Sequence, residues 1–533
     1  MNNEINEALM GVFRYLVPEL ILGSAACILF VGATFRADRH LWAAFSLITL
    51  LGAGVAAWYS PHSELTAGTI YAGPIYVDAL ACFIKALALA GGVVLVLMSW
   101  DEVPDRQAAE YYACLMIIIA GVCLTGAANE LITLFLSLEV VSIPTYVLLY
   151  MPRHDNPAQE AALKYFLLSI FSSALLLFGL SYVYGLSGTT NLPATLEALL
   201  AANPPNQTGL SAGLPAAAQL ALIMIVAGLG FRITAVPFHF YAPDVYQGAP
   251  TVAAALLAFV PKVAGFAALL RVLGFVLVGR ALSGLALGVD VAMLFYILAI
   301  VTMALGNFLA LLQDNIKRLL AYSSVAHAGY MLIGLAVAPQ LQHLGTVTGV
   351  HRPSIPGGVD AVLFYLVAYG GMTIGAFAVL SYLSTPQRPI EHVDDLAGLA
   401  RSHPGISLIM GLFLLSLIGI PLTAGFAGKW FLFFGAVAVP GTEDHPRLFK
   451  ILALVAALNA AIGAWYYLRV LAVIYLRTPI KPLDKGRSIP GLAALWICAL
   501  VTLVFGIAPE TLSQATQEAA HPLPPIPEQR ADR

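Results

Sequence analysis

Charge is what this chain has least of. Of its 533 residues only 10% are charged, against roughly a quarter in ordinary soluble domains. That shortage excludes a soluble globule, which could not clothe its surface in water. Neither sign is in excess: 26 Lys and Arg face 29 Asp and Glu, a net charge of −3, so no basic surface for nucleic acid is available. There are five cysteines, Cys27, Cys82, Cys114, Cys123 and Cys498, all within apolar runs, with no CxxC pair and no close Cys/His cluster. An iron–sulfur cluster or a structural zinc site needs grouped ligands, so no metal or cofactor is expected in this chain. A nucleotide fingerprint is missing too, because the GLG at 228–230 lies in an apolar run and not after a strand. The opening stretch, MNNEINEALMGVFR, lacks the positive region and small-residue cleavage site of a signal peptide, and the apolar run after it is expected to be the first helix.

What the chain has in plenty is apolar sequence, at 60% of its residues. A membrane-crossing helix takes about 20 such residues to pass a hydrocarbon core ~30 Å thick. Runs bounded by polar, Gly or Pro breaks lie at 14–34, 41–59, 75–99, 111–128, 131–150, 161–186, 218–239, 250–278, 285–312, 319–338, 360–384, 405–438, 450–476 and 489–509. The pattern predicts an all-α polytopic membrane protein of about fourteen transmembrane helices, with a loop at 187–215 rich in Pro, Asn and Gly whose one charged residue is Glu197. An even number puts both termini on one side. Twelve Lys and Arg fall in the loops of one side and eight on the other, which favours the richer side as cytoplasmic and both termini as periplasmic.

Six cations belong to no loop: Lys85, Lys164, Arg232, Lys262, Lys429 and Arg469. A charge at mid-bilayer costs at least roughly 2.5–3.5 kcal/mol, so such residues face a wet interior, pair, or work. Lys85, seven residues after Asp78, and Arg469, near its helix end, read as structural pairing or snorkelling. Glu139 lies mid-run ahead of Pro144, and Lys164 in the following helix is its expected partner. A lysine that approaches or leaves a buried carboxylate changes its proton affinity, which makes a switchable site; a static salt bridge is the alternative. In GLGFRITAVPFHFYAPDVYQGAP (228–250), Pro237 separates Arg232 from His239 and interrupts a spanning helix, and Lys262 follows Pro261. Interrupted helices at membrane depth line cavities or ion paths. Lysine is able to cycle a proton there, whereas arginine stays protonated. The device recurs at 414–435, where Pro421 and Gly425 interrupt the run before Lys429. Two such segments at corresponding places in two halves point to an inverted-repeat transporter. Between them His327, beside Ser323, Ser324 and Tyr330, is a candidate relay or a hydrogen-bonded core histidine, and Lys317 and Arg318 read as interface anchors.

The blocks SLEVVSIPTYVL, EAALKYFLLSIFSSALLLFGLSYVYGLSGT, VPFHFYAPDVYQGAP, NIKRLLAYSSVAHAGYMLIGL and IPLTAGFAGKW resemble subunit N of the proton-translocating NADH:quinone oxidoreductases (respiratory complex I), within the Mrp-type antiporter-like family. The resemblance covers most of the chain. It implies two inverted five-helix repeats with interrupted helices, and a division into an N-terminal three-helix segment (1–110), a first repeat (111–280), a second (281–477) and a C-terminal helix and tail (478–533). It implies a proton path through Glu139 and Lys164 as an acid–lysine pair, Arg232 and Lys262 as the central relay and Lys429 as the distal element. His239 and His327 match histidines of the family blocks as candidate relays. The family pattern has lysine where this chain has Arg232, which moves proton cycling away from 232. It also implies a non-redox subunit of a translocase in a bacterial inner membrane. Its partners would be the other membrane-arm subunits and the lipid bilayer, and NADH, FMN, iron–sulfur clusters and quinone would reside in partner subunits. The alternatives are an Mrp-type sodium/proton antiporter subunit, the equivalent subunit of a hydrogenase or F420-linked complex, and a membrane scaffold without an ion path.

Overall fold

A computed structural model describes residues 13–60, 73–151, 155–201, 216–278, 286–348, 357–385, 389–439, 444–479 and 488–520. The N-terminal twelve residues, the Pro-rich tail, and counted loop cations including Arg153, Arg280, Arg352, Arg388, Lys481, Lys485 and Arg487 lie outside the described residues. Helices run in the order α1 (Val17–Ala33), α2 (Arg39–Tyr59), α3 (Ala79–Ser99), α4 (Ala108–Ala127), α5 (Leu131–Tyr150), α6 (Asn156–Ser187), α7 (Leu192–Ala201), α8 (Ala216–Arg232), α9 (Ala242–Gly248) and α10 (Thr251–Val278). They continue as α11 (Ala286–Leu311), α12 (Ile316–Thr348), α13 (Val359–Leu383), α14 (Pro404–Ile418), α15 (Ala424–Val437), α16 (Asp444–Leu476), α17 (Ile489–Ile507) and α18 (Pro509–Ala519).

Several of these helices begin where the sequence supplies a cap. The Asp38 carboxylate accepts from the N–H groups of His40 (3.0 Å) and Leu41 (3.2 Å), Asp155 accepts from Ala158 (3.0 Å), and the Ser488 hydroxyl accepts from Gly491 (3.0 Å). Among the described residues, eleven helices are long and apolar enough to cross a membrane. The shorter apolar helices α1 and α8, and the pair α14–α15 joined across its break, bring the crossings to the expected fourteen. Two short helices were not foreseen. Helix α7 interrupts the loop at 187–215, started by Asn191, whose side chain accepts from the Ala194 N–H at 3.0 Å. Helix α18 follows the last crossing and buries Leu512, Ser513, Thr516 and Ala519.

The two five-helix series have the same internal order. In α4, α5, α6, α8–α9, α10 and again in α11, α12, α13, α14–α15, α16, the fourth member is broken. Five crossings per unit start the second unit on the opposite side of the membrane from the first, so the repeats are inverted. Both units converge on α10, where every residue from Thr251 to Leu270 is buried, and on α12 and α13. Helices α2, α6, α16 and α17 form the outside and expose large apolar side chains such as Ile48, Phe171, Trp465 and Trp496.

At the first break the chain leaves α8 at Arg232, passes Thr234 at φ 60° and a cis Val236–Pro237 peptide, and makes one tight turn over Phe238–Tyr241 before α9. Side chains collect the backbone groups set free: the Tyr241 hydroxyl donates to the Phe231 carbonyl (3.0 Å), and Thr302 accepts from the Val236 N–H (3.2 Å). At the second break α15 is drawn tight against α14. The Gly425 N–H donates to the Ser416 hydroxyl at 3.1 Å, and a Cβ on Gly425 would fall 2.0 Å from the Ser416 carbonyl oxygen, so only glycine fits.

Candidate functional site

In the first unit the acid and its cation are not the expected pair. Glu139, on α5, is joined to Arg232 at the end of α8, with Nη2 3.0 Å from Oε1. The Ser173 hydroxyl of α6 donates to the same oxygen at 2.5 Å. Arg232 also donates through Nη1 to the Leu138 carbonyl (3.0 Å) and the Ser142 hydroxyl (2.6 Å). Lys164 is placed elsewhere: its ammonium lies 2.7 Å from Glu160 on its own helix and 2.7 Å from Asp244 on α9. Arg318 of α12 shares the Asp244 carboxylate at 2.6 Å. The Glu139–Lys164 pairing is therefore corrected. The planar guanidinium reaches two turns of α5 at once, whereas Lys164 points to the short helix after the break.

Lys262 sits at the centre of the molecule, fully buried on α10. It donates to the Ser324 hydroxyl at 2.6 Å and to the Ser324 carbonyl, and reaches the Tyr369 hydroxyl at 3.4 Å. Tyr369 in turn donates to Ser324 at 2.7 Å. The expected relay of positions 232 and 262 is close but indirect: Gly265, three residues beyond Lys262, packs on Arg232 and Ile233, while the hydrogen bonds of Arg232 run to α5 and α6.

From Lys262 a row of polar side chains continues along one face of α12, because Ser324, His327 and Tyr330 are spaced by three. His327 is buried, with Nδ1 2.6 Å from the Tyr365 hydroxyl and Nε2 3.1 Å from the Tyr467 hydroxyl. Tyr467 also contacts the Ser323 hydroxyl. The His327 and Tyr330 rings are 5.7 Å apart, and the Lys429 ammonium lies 5.0 Å from the centre of the Tyr330 ring. Lys429 is held by the second break, donating to the carbonyls of Leu417 (2.7 Å) and Ile418 (2.9 Å) that the end of α14 leaves free. None of the ion pairs among the described residues includes Lys262 or Lys429. Two lysines in the row thus rest on hydroxyls and carbonyls, with no fixed counter-ion to hold their protons.

His239 stands apart from this row, half-buried in the turn after the first break, with its buried Nδ1 unpartnered. Other charges are partnered differently from the sequence reading. Lys85 pairs with Glu19 of α1 at 2.8 Å, both buried, and not with Asp78. Asp78 caps α3 and binds Arg271 at 2.6 Å. Arg271, counted with the loop cations, is instead buried within α10, which runs on to Val278. Lys317 is buried as well and donates to the Ala249 carbonyl at 2.9 Å. Among the described residues no group of three or more His, Cys, Asp or Glu is placed to hold a metal ion.

A family model described as NADH:quinone oxidoreductase/Mrp antiporter, transmembrane, matches residues 128–442. The chain is 37% identical to NADH-quinone oxidoreductase subunit N 1 of Solibacter usitatus, covering 95% of this chain and 97% of that protein. It is likewise 37% identical to subunit N of Trichlorobacter lovleyi, over 95% and 96%. Among solved structures it resembles a chain of respiratory complex I from Thermus thermophilus with bound aureothin, with TM-score 0.73 and 28% identity over 94% of this chain and 99% of that one. A chain of the Mrp complex from Dietzia shares the fold, with TM-score 0.74 and 18% identity over 96% of each. A polytopic helical protein with two inverted, broken-helix units around a buried polar row is an antiporter-like membrane subunit. The chain belongs to the NADH:quinone oxidoreductase/Mrp antiporter family and, within it, to the subunit N proteins.

Proposed function

We propose that this chain is the proton-translocating membrane-arm subunit N of a bacterial NADH:quinone oxidoreductase, a non-redox part of that translocase. It would lie in the inner membrane with both termini on the periplasmic side. The NADH, FMN, iron–sulfur and quinone chemistry belongs to partner subunits. The observation that carries the reading is the buried row from Lys262 through Ser324, His327 and Tyr330 to Lys429, whose two lysines have no counter-ion among the described residues.

The work of this chain is electrostatic. Two unit charges about 4 Å apart interact by roughly 4 kcal/mol at an effective dielectric of 20, nearly three pKa units, which suffices to load or eject a proton. Arg232 keeps its charge and serves as a fixed positive end, held to Glu139 and to the serine hydroxyls of α5 and α6. When the Glu139–Arg232 pair loosens, the field at Lys262 one helix away changes. Lys262 then releases its proton to the hydroxyls it touches, and the next charged group along the row responds in the same way. His239 and Lys164 flank the first break, and Lys164, with Arg318 and Asp244, ties that break to the second unit.

The test is donor-driven proton uptake by inverted membrane vesicles, with donor oxidation and subunit assembly measured in parallel. Lys262→Ala is expected to assemble and to lose proton uptake, while Arg232→Lys keeps it. Normal uptake by Lys262→Ala would mean that the row carries no protons and that the chain is a scaffold.

A further inference from the structure

His327 is enclosed by hydroxyls from three helices. Tyr365 of α13 faces Nδ1 at 2.6 Å, Tyr467 of α16 faces Nε2 at 3.1 Å, and Ser323 of α12 touches the Tyr467 hydroxyl. All four side chains are buried, none more than 2% exposed. Packing alone would be served by phenylalanine, since burying a hydroxyl is unfavourable unless it is bonded. Here both phenols are aimed at opposite nitrogens of one ring. A neutral imidazole has one N–H and one lone pair, and a phenol both donates and accepts, so each of these groups can take a proton on one side and release one on the other.

Each end of this chain meets a residue next to, or bonded to, one of the two lysines. Ser323 adjoins Ser324, which accepts from Lys262. At the other end Tyr365 packs on Gly428, the residue before Lys429, where a Cβ would fall 2.4 Å from the tyrosine ring. The missing side chain lets the Tyr365 ring pack directly on α15 beside Lys429.

We propose that Tyr467 and Tyr365 are proton carriers on either side of His327, so that Ser323, Tyr467, His327 and Tyr365 form the relay between Lys262 and Lys429. This rests on the proton-translocating role proposed above. A proton arriving on the Tyr467 oxygen from Ser323 displaces the phenolic proton, which bonds to Nε2. The Nδ1 proton passes to the Tyr365 oxygen, and Tyr365 releases its own toward Lys429. Each O–H or N–H bond broken is matched by one formed, one positive charge crosses, and no oxidant or reductant is required. The ring is left in the opposite tautomer and must be reset before the next transfer, so one proton crosses per cycle.

The test uses Tyr467→Phe and Tyr365→Phe, which keep each ring and remove only its hydroxyl, in the assembled complex within inverted vesicles. Lys262→Ala and Tyr112→Phe serve as references, the latter removing a buried hydroxyl that bonds Ser99 and lies off the relay. Each relay variant is expected to lower the protons moved per donor oxidised by about a hundredfold, the low edge of what a positioned proton carrier contributes. Thermal unfolding should be unchanged, Tyr112→Phe should match wild type, and the double variant should be no worse than either single one, because a chain broken once is already broken. A purely structural role would instead lower the unfolding temperature and give additive losses. If Lys262→Ala abolishes uptake while both Phe variants pump normally, the tyrosine relay is wrong and the proton-translocating reading survives. If Lys262→Ala pumps normally, both are wrong.

Discussion

Glu19 and Lys85 show what a buried ion pair does when it lies off the row. Their 2.8 Å contact joins α1 to α3, and the ammonium also donates to the Tyr15 carbonyl at 3.1 Å. Removing one partner leaves the other charge buried and uncompensated, at a cost of about 3–5 kcal/mol. Lys85→Met is therefore expected to lower the thermal unfolding temperature of the assembled complex, and adding Glu19→Gln to restore most of it. Loss of proton uptake in Lys85→Met with unchanged unfolding would instead make this pair part of the path. At this scale the sequence was informative where a charge stands inside an apolar run, as at Lys262, Lys429 and Glu139. It was silent on Tyr365, Tyr369 and Tyr467, because among 22 tyrosines nothing in the chain separates a hydroxyl aimed at a histidine from one that merely packs. The partner of Glu139 was misassigned for a related reason. Lys164 is near in sequence, but Arg232, 93 residues away, is near in space.

At the scale of the element, the two broken helices set the geometry. The break before α15 frees the Leu417 and Ile418 carbonyls and hands them to Lys429, so the lysine's position depends on how closely α15 approaches α14. Gly425→Ala would drive a methyl group into the Ser416 carbonyl, which as backbone cannot move aside cheaply. Such overpacking costs typically about 1–3 kcal/mol. The expected outcome is a lower unfolding temperature together with a reduced proton-to-donor ratio and unimpaired donor oxidation. An unaltered ratio would show that the carbonyl ends do not position Lys429 for transfer. Both breaks were legible from Pro237, Pro421 and Gly425 standing inside apolar runs. The start of α7 was not, because Asn191 reads equally as a turn residue, and Arg271 was counted with the loops although the run 250–278 encloses it, because a cation near a run's end looks like a loop residue.

At the scale of the whole molecule, each five-helix unit contributes a charge-bearing break, with α10 and α12 packed between them. The crossings were readable because hydropathy reports burial in lipid directly, and the repeat from the two interrupted segments and the family resemblance. The continuity of the row was not, since it depends on α12, α13 and α16 meeting around His327, and no local pattern encodes that meeting. The central claim is that Lys262 gives up and regains a proton and does not act as a fixed charge. Lys262→Arg separates the two, because a guanidinium keeps the positive charge but stays protonated. The measurement is the number of protons taken up per donor oxidised by inverted vesicles holding the assembled Lys262→Arg complex. Loss of uptake with oxidation retained is the expected result, and a ratio equal to wild type would contradict the claim.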